Sequence, residues 1–367
     1  MSVKSLSRRL ALALAALAFQ AAFAAEYTLD LLSASAESAV APVLRRASMS
    51  ASVGTVPAVA VGDMLNLALF DDVSFALRIV SAPPAGIAGQ SFIATDENGT
   101  ASAVVKVTAM TARISVDDFI NRRQYTVRCK DGKVLVVERD NSQEDGGECG
   151  TCGGEIEVSQ PVVEETKTVS SAKSLRLLAT EDAFPVAEHK SIVDILVAFD
   201  QGAKARCAAL GFDGIDDFAD YAVGKMNNVL VNSQLGDQLC YRLAGIVEID
   251  GTWTAIDNAL LLSMRAREGA FARLSQLRDK YGADTITLLV NRTSGTTSGI
   301  GFEYDEKYQD PSSFDGMNYA CNVCDINTVY SRYTMSHETG HNMGCGHSNR
   351  QGDNSGPGRY SYSWLIV

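Results

Sequence analysis

His337-Glu338-Thr339-Gly340-His341-Asn342-Met343-Gly344-Cys345-Gly346-His347 holds three of the chain's 4 histidines in the pattern H-E-x-x-H-x-x-G-x-x-H. On a helix, positions i and i+4 share a face, so His337 and His341 can offer two imidazoles to one metal ion. Glu338 leaves the same turn and can reach a water on that ion. Gly344 can take a positive φ, so the helix can stop there and the chain can turn back. The turn would bring His347 round as a third ligand. Three neutral nitrogens with one open position suit a catalytic zinc, whereas structural zinc sites are closed by four protein ligands. A chance match to five specified positions in a chain of this length is on the order of one in 10⁵. A polar surface helix that happens to carry histidines is therefore the weaker reading.

Upstream, the pattern is that of alternating strands and helices. Ile192–Phe199 reads as a strand. Asp216–Val231 reads as a helix, with Phe218, Tyr221, Ala222, Met226 and Val229 recurring near the 3.6 period. Leu260–Arg267 and Phe271–Tyr281 read as further helices, and Tyr281-Gly282-Ala283-Asp284 leads into the apolar run Thr285–Val290, a buried-strand candidate. Gly299-Ile300-Gly301-Phe302-Glu303-Tyr304 can be an edge strand or an ordinary loop.

On these residues the chain resembles the metzincin clan of zinc metalloendopeptidases. Within the clan it is most similar to reprolysin (adamalysin)-like secreted bacterial members. The resemblance implies an α/β (α+β) catalytic domain with a twisted mixed sheet and a zinc-site helix. It implies that His337, His341 and His347 bind one catalytic Zn2+, that Glu338 is the general base, and that protein or peptide chains are the substrates. The run from Gly299 would then hold an extended substrate by its backbone. A role for Ca2+ is left open. Reprolysins usually have Asp after the third histidine; here Ser348 follows, as in matrixins.

The chain of 367 residues is long enough for two domains. Lys4, Arg8 and Arg9, the apolar Leu10–Phe19 and the small-residue site Ala22-Phe23-Ala24 read as a signal peptide over 1–24, predicting a secreted or periplasmic protein. That apolar run is shorter than the roughly 20 residues a membrane span requires, so no stable membrane insertion is expected after signal cleavage. A formal net charge of −12 argues against nucleic acid and anionic membrane surfaces as partners.

Residues 25–140 read as a β-rich prodomain. Alternations such as Val73–Val80 and Tyr125–Arg128 are separated by the turn signals Pro83-Pro84, Asn98-Gly99 and Asp131-Gly132. Val127–Cys129 and Lys133–Val137 around Asp131-Gly132 predict a hairpin. Residues 141–187 are acidic and without period, as a linker and processing region would be. Residues 188–367 are then expected to form the metzincin-like catalytic domain. This order is the layout of a zymogen.

The 8 cysteines of an exported chain predict disulfides, with Cys207–Cys240 one candidate pair and two of Cys321, Cys324 and Cys345 another. Cys149-x-x-Cys152 and Cys321-x-x-Cys324 also admit a four-cysteine zinc site. A third role is latency: a thiolate is a good zinc ligand, so Cys149 or Cys152 can occupy the open position as a cysteine switch, against the alternative of a disulfide. Metzincins carry a methionine turn after the third histidine. No Met follows His347, and Tyr360–Trp364 resembles only the approach to that turn, so the catalytic domain is expected to be truncated at its C-terminus. The alternative function follows from this: a zinc-binding but catalytically impaired binding module.

Overall fold

The computed structural model describes residues 26–30, 35–38, 43–50, 59–85, 89–107, 111–131, 133–141, 148–149, 190–303 and 318–347. The signal-peptide reading, Cys152, most of the 141–187 segment, Ser348 and the C-terminal stretch fall outside them. The chain divides into two compact units, one formed by 1–82 and 92–140, the other by 83–91 and 141–367.

The first unit is all β among its described residues. Its strands are β1 (Glu26–Asp30), β2 (Ser35–Ser38), β3 (Val43–Ser50), β4 (Met64–Phe70), β5 (Val73–Ser81), β6 (Ser91–Thr95), β7 (Ala101–Val107), β8 (Thr111–Asp118), β9 (Arg123–Lys130) and β10 (Lys133–Asp140). They form one sheet in the order β1-β4-β5-β6-β7-β8-β9-β10-β3-β2. Alternation does what it should: Leu65, Leu67, Leu77, Ile79, Val127, Val134 and Val136 point into one apolar core. The hairpin is present, with Lys130 opposite Lys133 and Asp131 at φ 51.

The second unit is α+β. Its sheet runs β11 (Glu148–Cys149), β15 (Thr297–Gly301), β16 (Cys321–Asp325), β14 (Thr285–Val290), β12 (Ser191–Phe199), β13 (Leu239–Glu248). The β16-β14-β12-β13 pairs are parallel, and β15 runs antiparallel to β16, so the sheet is mixed. The helices are α1 (Gln201–Ala209), α2 (Ile215–Asn232), α3 (Asn258–Ala266), α4 (Leu274–Tyr281), α5 (Ile326–Ser331) and α6 (Thr334–Asn342). Three start on side-chain caps: Asp200 accepts from Ala203 N at 2.6 Å, Asp257 from Leu260 N at 2.8 Å, and Asp325 from Asn327 N at 3.2 Å. The predicted helix over Phe271–Tyr281 is shorter, because Gly269–Phe271 forms a separate 3₁₀ turn. In α2 the predicted stripe is buried except Val229, which is half-buried. No helix among the described residues is long and apolar enough to cross a membrane.

All six residues of β14 are buried, as a central strand covered on both faces requires. Ile286, Leu288 and Val290 join Leu260, Leu261 and Met264 of α3 and Leu274 of α4 in the apolar core. The alternate residues Thr285 and Thr287 face the other way, the Thr285 hydroxyl reaching Asn342 of α6 at 3.5 Å. The metal-motif helix thus lies over a polar patch of the sheet.

Seven of the cysteines are described, and all carry thiols rather than disulfides. The predicted pairs are not formed. Cys207 Sγ donates to Gly214 O at the end of α1, while Cys240 Sγ donates to Ser191 O on β12. Cys321 lies in the α3/α4 core, whereas Cys324 donates to Asn322 on the α6 side. Three residues apart on a strand means opposite faces, so these two can neither pair nor hold one metal.

Candidate metal centre

Helix α6 presents His337 and His341 one turn apart. It ends at Asn342, and Gly344 turns the chain back at φ 85, the left-handed conformation its position in the motif predicts. Backbone bonds from Gly344 N to His341 O and Cys345 N to Gly340 O, both 2.9 Å, close the turn. His347 returns beside the helix. His341 Nε2 lies 3.1 Å and His347 Nε2 3.3 Å from His337 Nε2. A tetrahedral zinc with Zn–N bonds of about 2.0–2.1 Å holds its nitrogens about 3.3–3.4 Å apart. Both separations from His337 are therefore close to the edge of a zinc tetrahedron, and the residues fit the ion.

Cys149 is brought to the same place from far upstream. Strand β11 pairs parallel with β15, with Cys149 opposite Gly299. Its Sγ lies 3.7 Å from His341 Nε2, and Cys149, His337, His341 and His347 present ligand atoms all within 4.8 Å of one another. Sulfur and nitrogen on one tetrahedral zinc sit about 3.6 Å apart.

Glu338 is 1% exposed. Its carboxyl group lodges against β15 where Gly299 has no side chain: a Cβ there would stand 2.6 Å from Glu338 Oε1 and 2.7 Å from its Cγ. Cys149 Sγ donates to Glu338 Oε2 at 3.8 Å. Burial pushes the Glu338 carboxyl up to about 8, the hydrogen bond from Cys149 pulling the other way. A dication among the histidines would draw it back towards the carboxylate. Desolvation of its ring, followed by the charge of His347, lowers His337 to about 4, which keeps its imidazole neutral and able to ligate.

The structure thus gathers His337, His341, His347, Glu338 and Cys149, with Gly344 at the turn. His341 Nδ1 sits 2.8 Å from Cys345 O, so a proton on Nδ1 satisfies that carbonyl and leaves Nε2 bare for metal. Tyr333, close to the motif in sequence, packs its ring against the Lys225 ammonium at 4.4 Å. In the sequence, Gly299 is read as holding substrate rather than as lying against Glu338, and Asn342 is not singled out. The spacing Gly-x-Gly in a strand was the available signal for close approach by another element.

No curated protein matches the chain. Among solved structures, one in "a chaperone-substrate complex" is 15% identical with a TM-score of 0.32, covering 43% of this chain, which spans only 27% of that one. The crystal structure of metalloproteinase-II from Bacteroides fragilis is 13% identical with a TM-score of 0.43, covering 79% of this chain and 83% of its own. Residues 189–363, the segment that carries the three clustered histidines and Glu338, match the family model Reprolysin_5 of metallo-peptidase family M12.

Proposed function

We propose that this chain is an exported zinc-dependent endopeptidase, held latent by Cys149. The observation that carries the reading is the convergence of three imidazoles, with His341 and His347 Nε2 at 3.1 and 3.3 Å from His337 Nε2, beside a buried carboxyl group one residue from the first ligand. The metallopeptidase family match over the same residues supports it. Export rests on the basic, apolar and Ala-x-Ala segments at the N-terminus.

Zinc, when bound, polarises a peptide carbonyl and acidifies a water beside it. The proton work falls to Glu338. Its carboxylate takes the proton of the attacking water as the water oxygen adds to the carbonyl carbon. It returns that proton to the leaving nitrogen as the C–N bond breaks. His341 is held in its ligating tautomer by Cys345 O. Cys149, whose Sγ lies 3.7 Å from His341 Nε2, would hold the ion together with the three histidines, and its thiolate there would exclude water and substrate. Release of the segment that carries β11 would free that position.

Purified protein should carry about one zinc per chain. After processing it should cleave a denatured protein, and a chelator should stop it. Glu338→Gln should keep the metal and lower hydrolysis by roughly 10²–10⁴-fold. Cys149→Ser should give hydrolysis before processing. Absence of zinc, or a Glu338→Gln variant as active as the parent, overturns the peptidase reading. A Cys149→Ser variant as latent as the unprocessed parent overturns the latency.

A further inference from the structure

We infer that Asn342, supported by Asn322 beneath it, is a positioning residue of the metal centre: it sets where α6 ends and so how far His341 stands from His347. The inference rests on the zinc reading above.

Asn342 follows His341 directly and is the last residue of α6. Its side-chain amide is engaged on both ends. Nδ2 donates to Phe302 O at 2.8 Å and Cys321 O at 3.0 Å, with Tyr319 O at 3.4 Å. Oδ1 accepts from Asn322 Nδ2 at 2.8 Å and Thr285 Oγ1 at 3.5 Å. One amide therefore binds the exit of β15, the entry of β16 and the start of β14. Asn322 is fully buried and also reaches Thr339 Oγ1 at 3.3 Å, one turn back along α6. The pair fastens the last turn of the helix to the sheet at two levels.

The approach is close because Gly301 leaves room. A Cβ there would lie 2.9 Å from Glu338 O and 3.5 Å from Asn342 Nδ2. Elsewhere along α6 the contacts could be made by apolar packing, which tolerates sliding. At Asn342 they are directional bonds to backbone carbonyls, which do not. The turn from Met343 to Gly346 starts at this anchor and delivers His347. A shift of a few tenths of an ångström at Asn342 would change the His341–His347 geometry while leaving the apolar core on the far face untouched. Asn342 itself touches no metal and no reacting atom; it acts through the two imidazoles.

The test uses the full chain, loaded with Zn2+ or with Co2+ as a spectroscopic probe. Asn342→Leu keeps the branching of the side chain and removes all its hydrogen bonds. Zinc affinity, measured by competition with a chromophoric chelator, should fall about 10–100-fold, the range seen when groups supporting metal ligands are removed. The ligand-field spectrum of the Co2+ form should change, while the metal-free protein stays folded by circular dichroism. Asn322→Ser, which removes one support only, should give a smaller shift in the same direction. It decides the matter if Asn342→Leu does not fold. Folded variants with the parent's zinc affinity and the parent's Co2+ spectrum overturn the inference. A parent chain that takes up neither ion overturns the metal reading instead, a result distinct from equal binding by parent and variant.

Discussion

The two faces of the second unit's sheet are built on different chemistry. Towards α3 and α4 the strands present Leu196, Ala198, Ile286, Leu288, Val290, Ile300 and Val323, a continuous apolar layer. Beneath α6, β14, β16 and β15 present Thr285, Thr287, Asn322 and Cys324, with Gly299 and Gly301 as bare patches, while the rest of that face is apolar through Ile195, Val197 and Leu289. The apolar layer supplies stability through burial, which is non-directional and roughly proportional to area. The polar layer stabilises less per residue, since a net hydrogen bond contributes only about 0.5–1.5 kcal/mol, but it fixes direction. A metal site needs ligands placed within fractions of an ångström. The difference thus assigns stability to the apolar layer and geometry to the polar patch beneath α6.

The largest separation should come from Leu288→Ala. Leu288 is fully buried at the centre of the apolar layer. Truncation there should cost about 2–5 kcal/mol in unfolding free energy, because the site cannot collapse around a lost side chain in mid-sheet. Zinc affinity of the folded fraction should remain that of the parent. Denaturant unfolding beside a chelator competition measures both, and a loss of zinc affinity as large as the loss of stability would dissolve the division between the faces.

Gly299→Ala should show the reverse. Its new methyl would meet Glu338 Oε1 at 2.6 Å and Thr334 Cγ2 at 2.8 Å, and the end of the glutamate side chain is what can give way. Overpacking of this kind costs typically about 1–3 kcal/mol, here taken up largely by displacing the carboxylate. In processed protein, kcat/KM should fall by roughly 10–10²-fold, within the effect of removing a well-placed general base, with zinc content unchanged. Unaltered kcat/KM would mean that the notch does not hold Glu338 in place.

What could be read from the sequence follows the range of each interaction. The three histidines, Glu338 and Gly344 lie within one helix and one turn, so local geometry alone brings them together. The alternations of β5 and β9 and the β9–β10 hairpin were legible for the same reason. Cys149 could be named as a candidate, but its arrival depends on the pairing of a two-residue strand with β15, about which spacing says nothing. The amide of Asn342 meets groups from residues 285 to 322, so no window of sequence contains it. Within the disulfide expectation, the Cys321–Cys324 pair is excluded by a local rule. Once Cys321–Asp325 is seen as a strand, alternation alone sends Cys321 and Cys324 to opposite faces.

Thr287→Val should have the smallest effect, and its sign is the informative part. Thr287 is fully buried on the α6 side of β14, and its hydroxyl has no hydrogen-bond partner among the described residues. It is thus the one polar group of that layer that contributes no direction. A buried hydroxyl left unpaired costs roughly 1–3 kcal/mol by mutational measures. Valine has nearly the same shape without that cost, and it is at least as well suited to a strand. The variant should therefore be more stable by about 1 kcal/mol, a rise in melting temperature of roughly 2–4 °C for a unit of this size. Its zinc affinity should match the parent's, because none of the bonds at Asn322 or Asn342 passes through Thr287. Calorimetry of the metal-free protein and a chelator competition read the two quantities. If the variant is instead destabilised and binds zinc more weakly, the hydroxyl belongs to the network under α6, and the polar layer extends one residue further along β14 than the hydrogen bonds define it.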